Sequence, residues 1–338
     1  MNVLVNGVGN IGTTLLNLLI DFKKELGISE IYALKKSKVD VWNKAELEIL
    51  RDRGVVICSE TNSDFSPLSG ILPSIDYIFD CNANGMGLKN KKWYESLTHV
   101  KGFSTQGSEK GFGIPFMSNV NNVEIKGERF AQIVSCNTHS LSTIIQTLTG
   151  NDLSQVISGD FVVVRRSEDI GNHQRLVSAN VVSRHMQNNI GTHHAIDVKD
   201  LFETKGIQLN LQSSDITTPS QLMHTVRFSL KLKSELNLGR MTELIAQNPY
   251  IATTSKYDSN VIFELGRRYS RYGRLYSHAI LNWNNLLFDE HENTVKGWAF
   301  IPQEGNSLLS TIHAFLLQTG QDDSTMDILK TSLLKKNW

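Results

Sequence analysis

The chain has three cysteines, and their surroundings differ. Cys58 lies inside an apolar run and Cys81 ends one, which predicts packing roles for both. Cys136 stands in Ser135-Cys136-Asn137-Thr138, between a strand-like run, Phe130 to Ser135, and a helical stretch, Leu141 to Leu148. A thiolate at a helix N-terminus is stabilised by the dipole and by unpaired amides, and the thiolate is the reactive form. Asn137 and Thr138 can add hydrogen bonds at that turn. Such a group suits covalent attack on a carbonyl, provided a base is near. His224 is the candidate base, at the end of Pro219-Ser220-Gln221-Leu222-Met223-His224. His193 and His194 are adjacent in Gly191-Thr192-His193-His194-Ala195, and Arg165 and Arg166 close the apolar run Phe161 to Val164. Taken singly, these are loop histidines, strand-end charges and a core-edge histidine. Together they offer the imidazoles and guanidinium forks that suit phosphate.

A second constellation is Gly7-Val8-Gly9-Asn10-Ile11-Gly12, directly after a strand and directly before an amphipathic helix. In this context the first glycine allows a tight turn, the second admits a pyrophosphate, and the third lets helix and strand pack closely. The helix start then faces the phosphates with its amides. A dinucleotide cofactor follows, NADP or NAD. The second strand ends Leu34-Lys35-Lys36-Ser37-Lys38, cationic where an NAD-strict site places an acid. Lys36 and Ser37 therefore suit a 2′-phosphate. Asn82-Ala83-Asn84-Gly85 follows the fourth strand and is expected only loosely along the cofactor.

The elements that must position these groups fall into two textures. Through residue 135, β-like runs at Val3–Val5, Glu30–Leu34, Val55–Cys58, Tyr77–Cys81 and Phe130–Ser135 alternate with helical patterns such as Thr13–Leu26. That pattern predicts an α/β fold with a Rossmann-like parallel sheet. Beyond residue 150 come alternating strands, Val226–Leu232 and Thr294–Ile301 among them, which predict an α+β catalytic domain with a mostly antiparallel sheet. The apolar helix Ser307–Leu317 is expected to return to the first domain. The expected boundaries are 1–136 with 303–338 for the dinucleotide domain and 137–302 for the catalytic one.

Bulk composition narrows the class. The 338 residues are 40% hydrophobic and 20% charged, with 34 Lys plus Arg against 34 Asp plus Glu. That balance gives no overall field toward nucleic acid or anionic membrane. Three scattered cysteines support neither a disulfide framework nor a zinc site, so no metal is expected. Nor is there a signal peptide or a run of roughly 18 apolar residues, so a cytoplasmic protein is expected.

In motif order and approximate spacing the chain resembles the archaeal (type II) glyceraldehyde-3-phosphate dehydrogenases. The resemblance runs through Val5–Gly12, Val134–Thr138, Val164–Arg166, Thr192–Val198, Pro219–His224 and Gln303-Glu304. It implies Cys136 as nucleophile and His224 as catalytic histidine. It makes Ser135, Asn137, His193 and His194 substrate contacts. It makes Asn10, Ile11, Gly107, Arg166 and Gln303 cofactor contacts, with Lys36 and Ser37 at the 2′-phosphate. It also implies a homotetramer, and a phosphorylating oxidation of the aldehyde through a thioester, in glycolysis and gluconeogenesis. Its partners are a phosphorylated aldehyde and inorganic phosphate, bound near Thr138 and Arg165. The chain departs from the family at Ser108, His139, Ser142, Ser167-Glu168-Asp169 and Ser220-Gln221. Two other readings stay open on the residues themselves. One is another thioester-forming enzyme such as aspartate-semialdehyde dehydrogenase; the other is a non-catalytic NADP-binding redox sensor.

Overall fold

The computed structural model describes residues 1–39, 41–167, 190–220 and 222–338, so Glu168, Asp169 and Gln221 lie outside the described residues. The chain divides into two compact units, Met1–Ile133 with Leu308–Ile328, and Val134–Ser307 with Leu329–Trp338.

The first unit holds an eight-stranded sheet in which every pairing is parallel. Its strands are β1 (Asn2–Asn6), β2 (Glu30–Leu34), β3 (Val56–Ser59), β4 (Ser66–Pro67), β5 (Tyr77–Asp80), β6 (Gly102–Gln106), β7 (Ile114–Phe116) and β8 (Phe130–Ile133). The order β4-β3-β2-β1-β5-β6-β8-β7 reverses direction at β1, the switch point where such sheets bind dinucleotides. Val3, Leu4 and Val5 on β1 and Tyr77, Ile78 and Phe79 on β5 are fully buried, as continuous apolar runs covered on both faces must be. The helix after β1 is Asn10–Asp21, earlier than the apolar spacing predicts. The glycine loop runs straight into its first turn. Past Asp21 the spacing continues through turns, closed by Leu26 N–H to Phe22 C=O and by Gly27 at φ 59°. The predicted returning helix is Leu308–Gln318, buried from Leu308 to Leu317. Its Phe315 ring packs 5.0 Å from Tyr77 and 5.6 Å from Phe79. Burying such a ring contributes about 2–3 kcal/mol.

The second unit holds a seven-stranded mixed sheet: β9 (Val156–Arg166), β10 (Leu211–Thr218), β11 (His224–Leu232), β12 (Ile251–Thr254), β13 (Ala279–Asn282), β14 (Leu287–Asp289) and β15 (Thr294–Ile301). The order is β10-β9-β11-β15-β13-β12, with β14 also on β15. Four pairings are antiparallel, while β10 with β9 and β12 with β13 are parallel. On β11, Val226, Phe228, Leu230 and Leu232 are buried, while Thr225, Arg227, Ser229 and Lys231 are half-buried on the other face. That is the period-2 alternation the sequence predicts. The helix Cys136–Thr149 is buried from Asn137 to Leu148. A helix buried on every side is a core element, so the helix that Cys136 begins has little freedom to move. No helix of the described residues is long and apolar enough to cross a membrane.

Candidate active site

Within the first unit, the groups expected at a cofactor line the C-terminal ends of four adjacent strands. Gly7 follows β1, Lys36 and Ser37 follow β2, Asn82 follows β5 and Gly107 follows β6. Gly7 sits at φ 109°, a conformation L side chains rarely adopt. A Cβ at Gly12 would stand 2.0 Å from the Gly7 carbonyl oxygen, so only glycine permits this approach of helix to strand. A Cβ at Gly9, by contrast, would meet nothing within 4 Å. Open space over a glycine at a helix start free of acidic side chains is a cradle that fits a pyrophosphate. Asn10 and Ile11 supply the amides of that first turn. Lys36 lies with Nζ 3.4 Å from Asn90 Oδ1 and 5.3 Å from the Trp93 ring centre. Behind the loop, buried Asp80 accepts from Asn90 Nδ2 at 2.7 Å, Tyr94 Oη at 2.6 Å and Asn82 Nδ2 at 2.8 Å. This brace under the loop has no motif in the sequence.

Among the cysteines, burial pushes the Cys58 thiol up to about 12 and also raises that of Cys81. Both groups therefore stay protonated. Cys136 is the first residue of its helix and partly exposed. Ser135 caps that helix, its Oγ accepting from Thr138 N–H at 3.2 Å, so Ser135 and Thr138 fix the turn around the thiol. His139 sits wholly buried one turn in, donating from Nδ1 to the Ser135 carbonyl at 3.0 Å. Burial lowers its pKa to about 4. Asn306 Nδ2 donates to the Cys136 carbonyl at 3.0 Å and to the His278 carbonyl at 3.0 Å. Asn306 thus ties the Cys136 backbone to that of His278.

His224 opens β11 opposite Ile301 of β15, and this register brings Gln303, two residues beyond, against it. Gln303 Oε1 accepts from the His224 backbone N–H at 2.9 Å, and Gln303 Nε2 lies 2.9 Å from His224 Nε2. The other ring nitrogen, Nδ1, lies 3.0 Å from Asn137 Oδ1. Asn137 and His224 are therefore neighbours, and Asn137 is next in sequence to Cys136. His224 is 6% exposed. Burial first, then the positive charge of Arg166 and Arg165, hold its pKa well below the usual range, so the imidazole is neutral at neutral pH.

Arg165 and Arg166 end β9 beside the start of β11, because Val164 pairs with Thr225. Arg166 is buried, with Nη2 2.7 Å from Glu304 Oε1. Glu304 Oε2 lies 2.7 Å from Arg274 Nη1, so one carboxylate holds two guanidinium groups. Glu304 itself stands at φ 64°, a left-handed strain of about 1–2 kcal/mol that the two ion pairs offset. Arg165 remains one-third exposed, its Nη1 3.4 Å from Asp215 Oδ2 on β10.

His193 and His194, which in isolation read as surface-loop residues, begin the helix His193–Glu203. Ser213 of β10 anchors that helix start by accepting from Ala195 N–H at 2.9 Å. Two residues along the same face, Asp215 Oδ2 lies 3.4 Å from His194 Nε2, and His194 Nδ1 lies 3.3 Å from Asn137 Nδ2. Burial first, then the neighbouring His194 and Arg165, lower the His193 pKa to about 4. Burial alone would raise the Asp215 carboxyl, but His194 and Arg165 bring it below the usual value. His193, His194 and Asp215 bring one ligand atom each within 4.8 Å, a spacing three donors on one metal ion could adopt. The guanidinium of Arg165 already faces that carboxylate, which disfavours a cation and suits an anion.

The second unit therefore brings together Asn137, Arg165, His194, His224 and Gln303, with Cys136 at the head of the same helix. Arg166 and Gln303, expected at the cofactor, make their side-chain bonds to Glu304 and to His224. Sequence reasoning missed Asp215, Glu304 and Asn306 as site residues. For Asp215 a signal existed, since it takes the inward position of the alternation Leu211, Ser213, Asp215, and an inward acid needs partners.

No family model matches the chain. Curated relatives do. The glyceraldehyde-3-phosphate dehydrogenase of Methanobacterium bryantii is 25% identical over 261 residues, 73% of this chain and 72% of that one. The enzyme of the same name from Thermococcus kodakarensis is 25% identical over 300 residues, 83% and 80% of the two chains. That of Saccharolobus solfataricus is 27% identical over 280 residues, 78% and 76%. Over most of its length, and at low identity, the chain is similar to archaeal glyceraldehyde-3-phosphate dehydrogenases, as its motifs suggest.

Proposed function

We propose that the protein is an oxidoreductase that converts glyceraldehyde 3-phosphate to 1,3-bisphosphoglycerate, and back, through a thioester on Cys136, with NADP or NAD. The observation that carries this reading is the Cys136 helix itself. It starts at a partly exposed thiol just after the Ser135 cap, and its second residue touches a neutral imidazole 3.0 Å away. The similarity to named dehydrogenases supports the substrate.

The chain's own groups divide the work. The amides of Gly7–Gly12, with Asn10 and Ile11, would hold the pyrophosphate, and Lys36 with Ser37 would face a 2′-phosphate. A bound nicotinamide supplies the hydride acceptor. Cys136 Sγ adds to the aldehyde carbon, and nearby donors stabilise the tetrahedral oxygen. His224 Nε2 takes the hydroxyl proton as the carbon is oxidised, leaving a thioester. Arg165, His193 and His194 hold inorganic phosphate. A phosphate oxygen attacks the thioester carbon, the C–S bond breaks, and the thiolate returns with the acyl phosphate as product. The working form is a cytoplasmic homotetramer serving glycolysis and gluconeogenesis; this part of the reading rests on the resemblance.

The test is a steady-state assay with both nucleotides, with and without phosphate. Sustained NAD(P) reduction with glyceraldehyde 3-phosphate that requires phosphate is the expected result. Turnover confined to aspartate semialdehyde would overturn the substrate. Nucleotide binding with no turnover on any aldehyde would favour a redox sensor.

A further inference from the structure

We infer that Asp215 and Asn137 are positioning residues for His224, joined to it in one polarised chain: hydrogen bonds link His194, Asn137, His224 and Gln303, and the Asp215 carboxylate faces His194 Nε2 at 3.4 Å. The inference rests on the proposed role of His224 as the base.

The chain's direction is fixed independently at each end. At one end the His224 backbone N–H can only donate, so the Gln303 atom 2.9 Å from it is the amide oxygen. The amide nitrogen then faces His224 Nε2 at 2.9 Å and must donate to it. His224 Nε2 therefore carries a lone pair, and the neutral ring carries its proton on Nδ1. That proton goes to Asn137 Oδ1 at 3.0 Å. With its oxygen so used, Asn137 turns its nitrogen to His194 Nδ1 at 3.3 Å, which accepts. His194 must then hold its proton on Nε2, facing Asp215 Oδ2 at 3.4 Å. At this other end an ionised carboxylate can only accept. The two ends agree. Turning the Asn137 amide over would place two N–H groups face to face between His224 Nε2 and Gln303.

A buried base needs its accepting nitrogen chosen in advance, and a wrong tautomer removes it from the reaction while leaving the fold intact. Here the choice is made by the His224 backbone amide through Gln303, and the Asp215 carboxylate, two side chains away, favours the same choice electrostatically. All five residues belong to one compact unit, and Asp215, His194, Asn137 and His224 are each less than a tenth exposed. When Nε2 takes a proton, the Gln303 amide must give way. The resulting charge is offset along the chain by the Asp215 carboxylate.

Two experiments test this. Solid-state 15N spectra of histidine-labelled protein, assigned by loss of signals in His224→Gln and His194→Gln, read the tautomers directly. The expected pair is a protonated Nδ1 on His224 and a protonated Nε2 on His194. The reverse pair would overturn the proposal even in an enzyme that turns over glyceraldehyde 3-phosphate, and the expected pair would stand even if the aldehyde were another. The second experiment uses Asp215→Asn and reads only the phosphate-free burst of NAD(P)H, which does not call on Arg165. A burst slowed about tenfold, with its acid limb moved to lower pH and nucleotide affinity kept, is expected. An unchanged burst and limb would overturn the role of Asp215.

Discussion

The glycine loop of the first unit and the cysteine site of the second are built from different materials. Around Gly7–Gly12 the recognition groups are backbone amides, and the side chains are there to be absent: no Cβ fits at Gly12, and open space lies over Gly9. Around Cys136 the groups are side chains drawn from two helix starts, three strands and the turn after β15, each held by a partner that itself needs a partner. A backbone-built site tolerates change in its surroundings and fails at single glycines. A site built from side chains fails wherever a buried polar atom loses its partner.

That difference can be broken or sharpened by substitution. The largest effect is expected at Glu304, whose carboxylate lies between Arg166 and Arg274. Glu304→Gln leaves buried positive charge without its counter-ion, a loss of about 3–5 kcal/mol in unfolding free energy. Denaturant titration measures it, and a loss under 1 kcal/mol would mean the ion triad is not structural. Next come the glycines. Gly12→Ala should lower nucleotide affinity by about two orders of magnitude and destabilise the fold, because its methyl meets the Gly7 carbonyl. Gly9→Ala should leave stability within about 0.5 kcal/mol yet still weaken nucleotide binding. Equal stability losses at both positions would erase the distinction. In neither variant should alkylation of Cys136 by iodoacetamide change.

The same burial produces a pH dependence. Folded His139 has its pKa lowered to about 4, below its unfolded value, and burial moves His193, His224 and His278 in the same direction. The unfolded state therefore binds more protons on acidification. Stability from these groups is complete above about pH 6.5 and is lost as pH falls toward 4. The melting temperature should drop between pH 7 and pH 4.5, and less steeply in His139→Thr. Parallel profiles for the two proteins would remove His139 from the account.

How much could be read from the residues follows the same division. The glycine loop announces itself because its atoms are contiguous in sequence and its helix and strand follow at once. The core strands β1, β2, β5, β9, β11 and β15 were readable as apolar runs or alternations, and so was the returning helix. The short strands β7, β12, β13 and β14, at three or four residues, carry too few side chains to show a period. Helix placement and family resemblance single out Cys136 and His224 as candidates. Nothing singles out their partners, because Asp215, Asn306 and Glu304 come from distant segments and only strand register brings them in. His194 looked like a loop residue since the helix it begins has a polar first turn, and its burial depends on β10.

The proposed chemistry requires Cys136 to carry the substrate covalently. The direct measurement mixes protein, nucleotide and glyceraldehyde 3-phosphate without phosphate, following NAD(P)H by rapid absorbance and the protein by intact mass. A covalent Cys136 intermediate gives a burst of about one NAD(P)H per chain, a matching acyl adduct on Cys136, and loss of that adduct with renewed turnover on adding phosphate. A burst and adduct that persist in Cys136→Ser, or steady phosphate-independent turnover without any adduct, would contradict it.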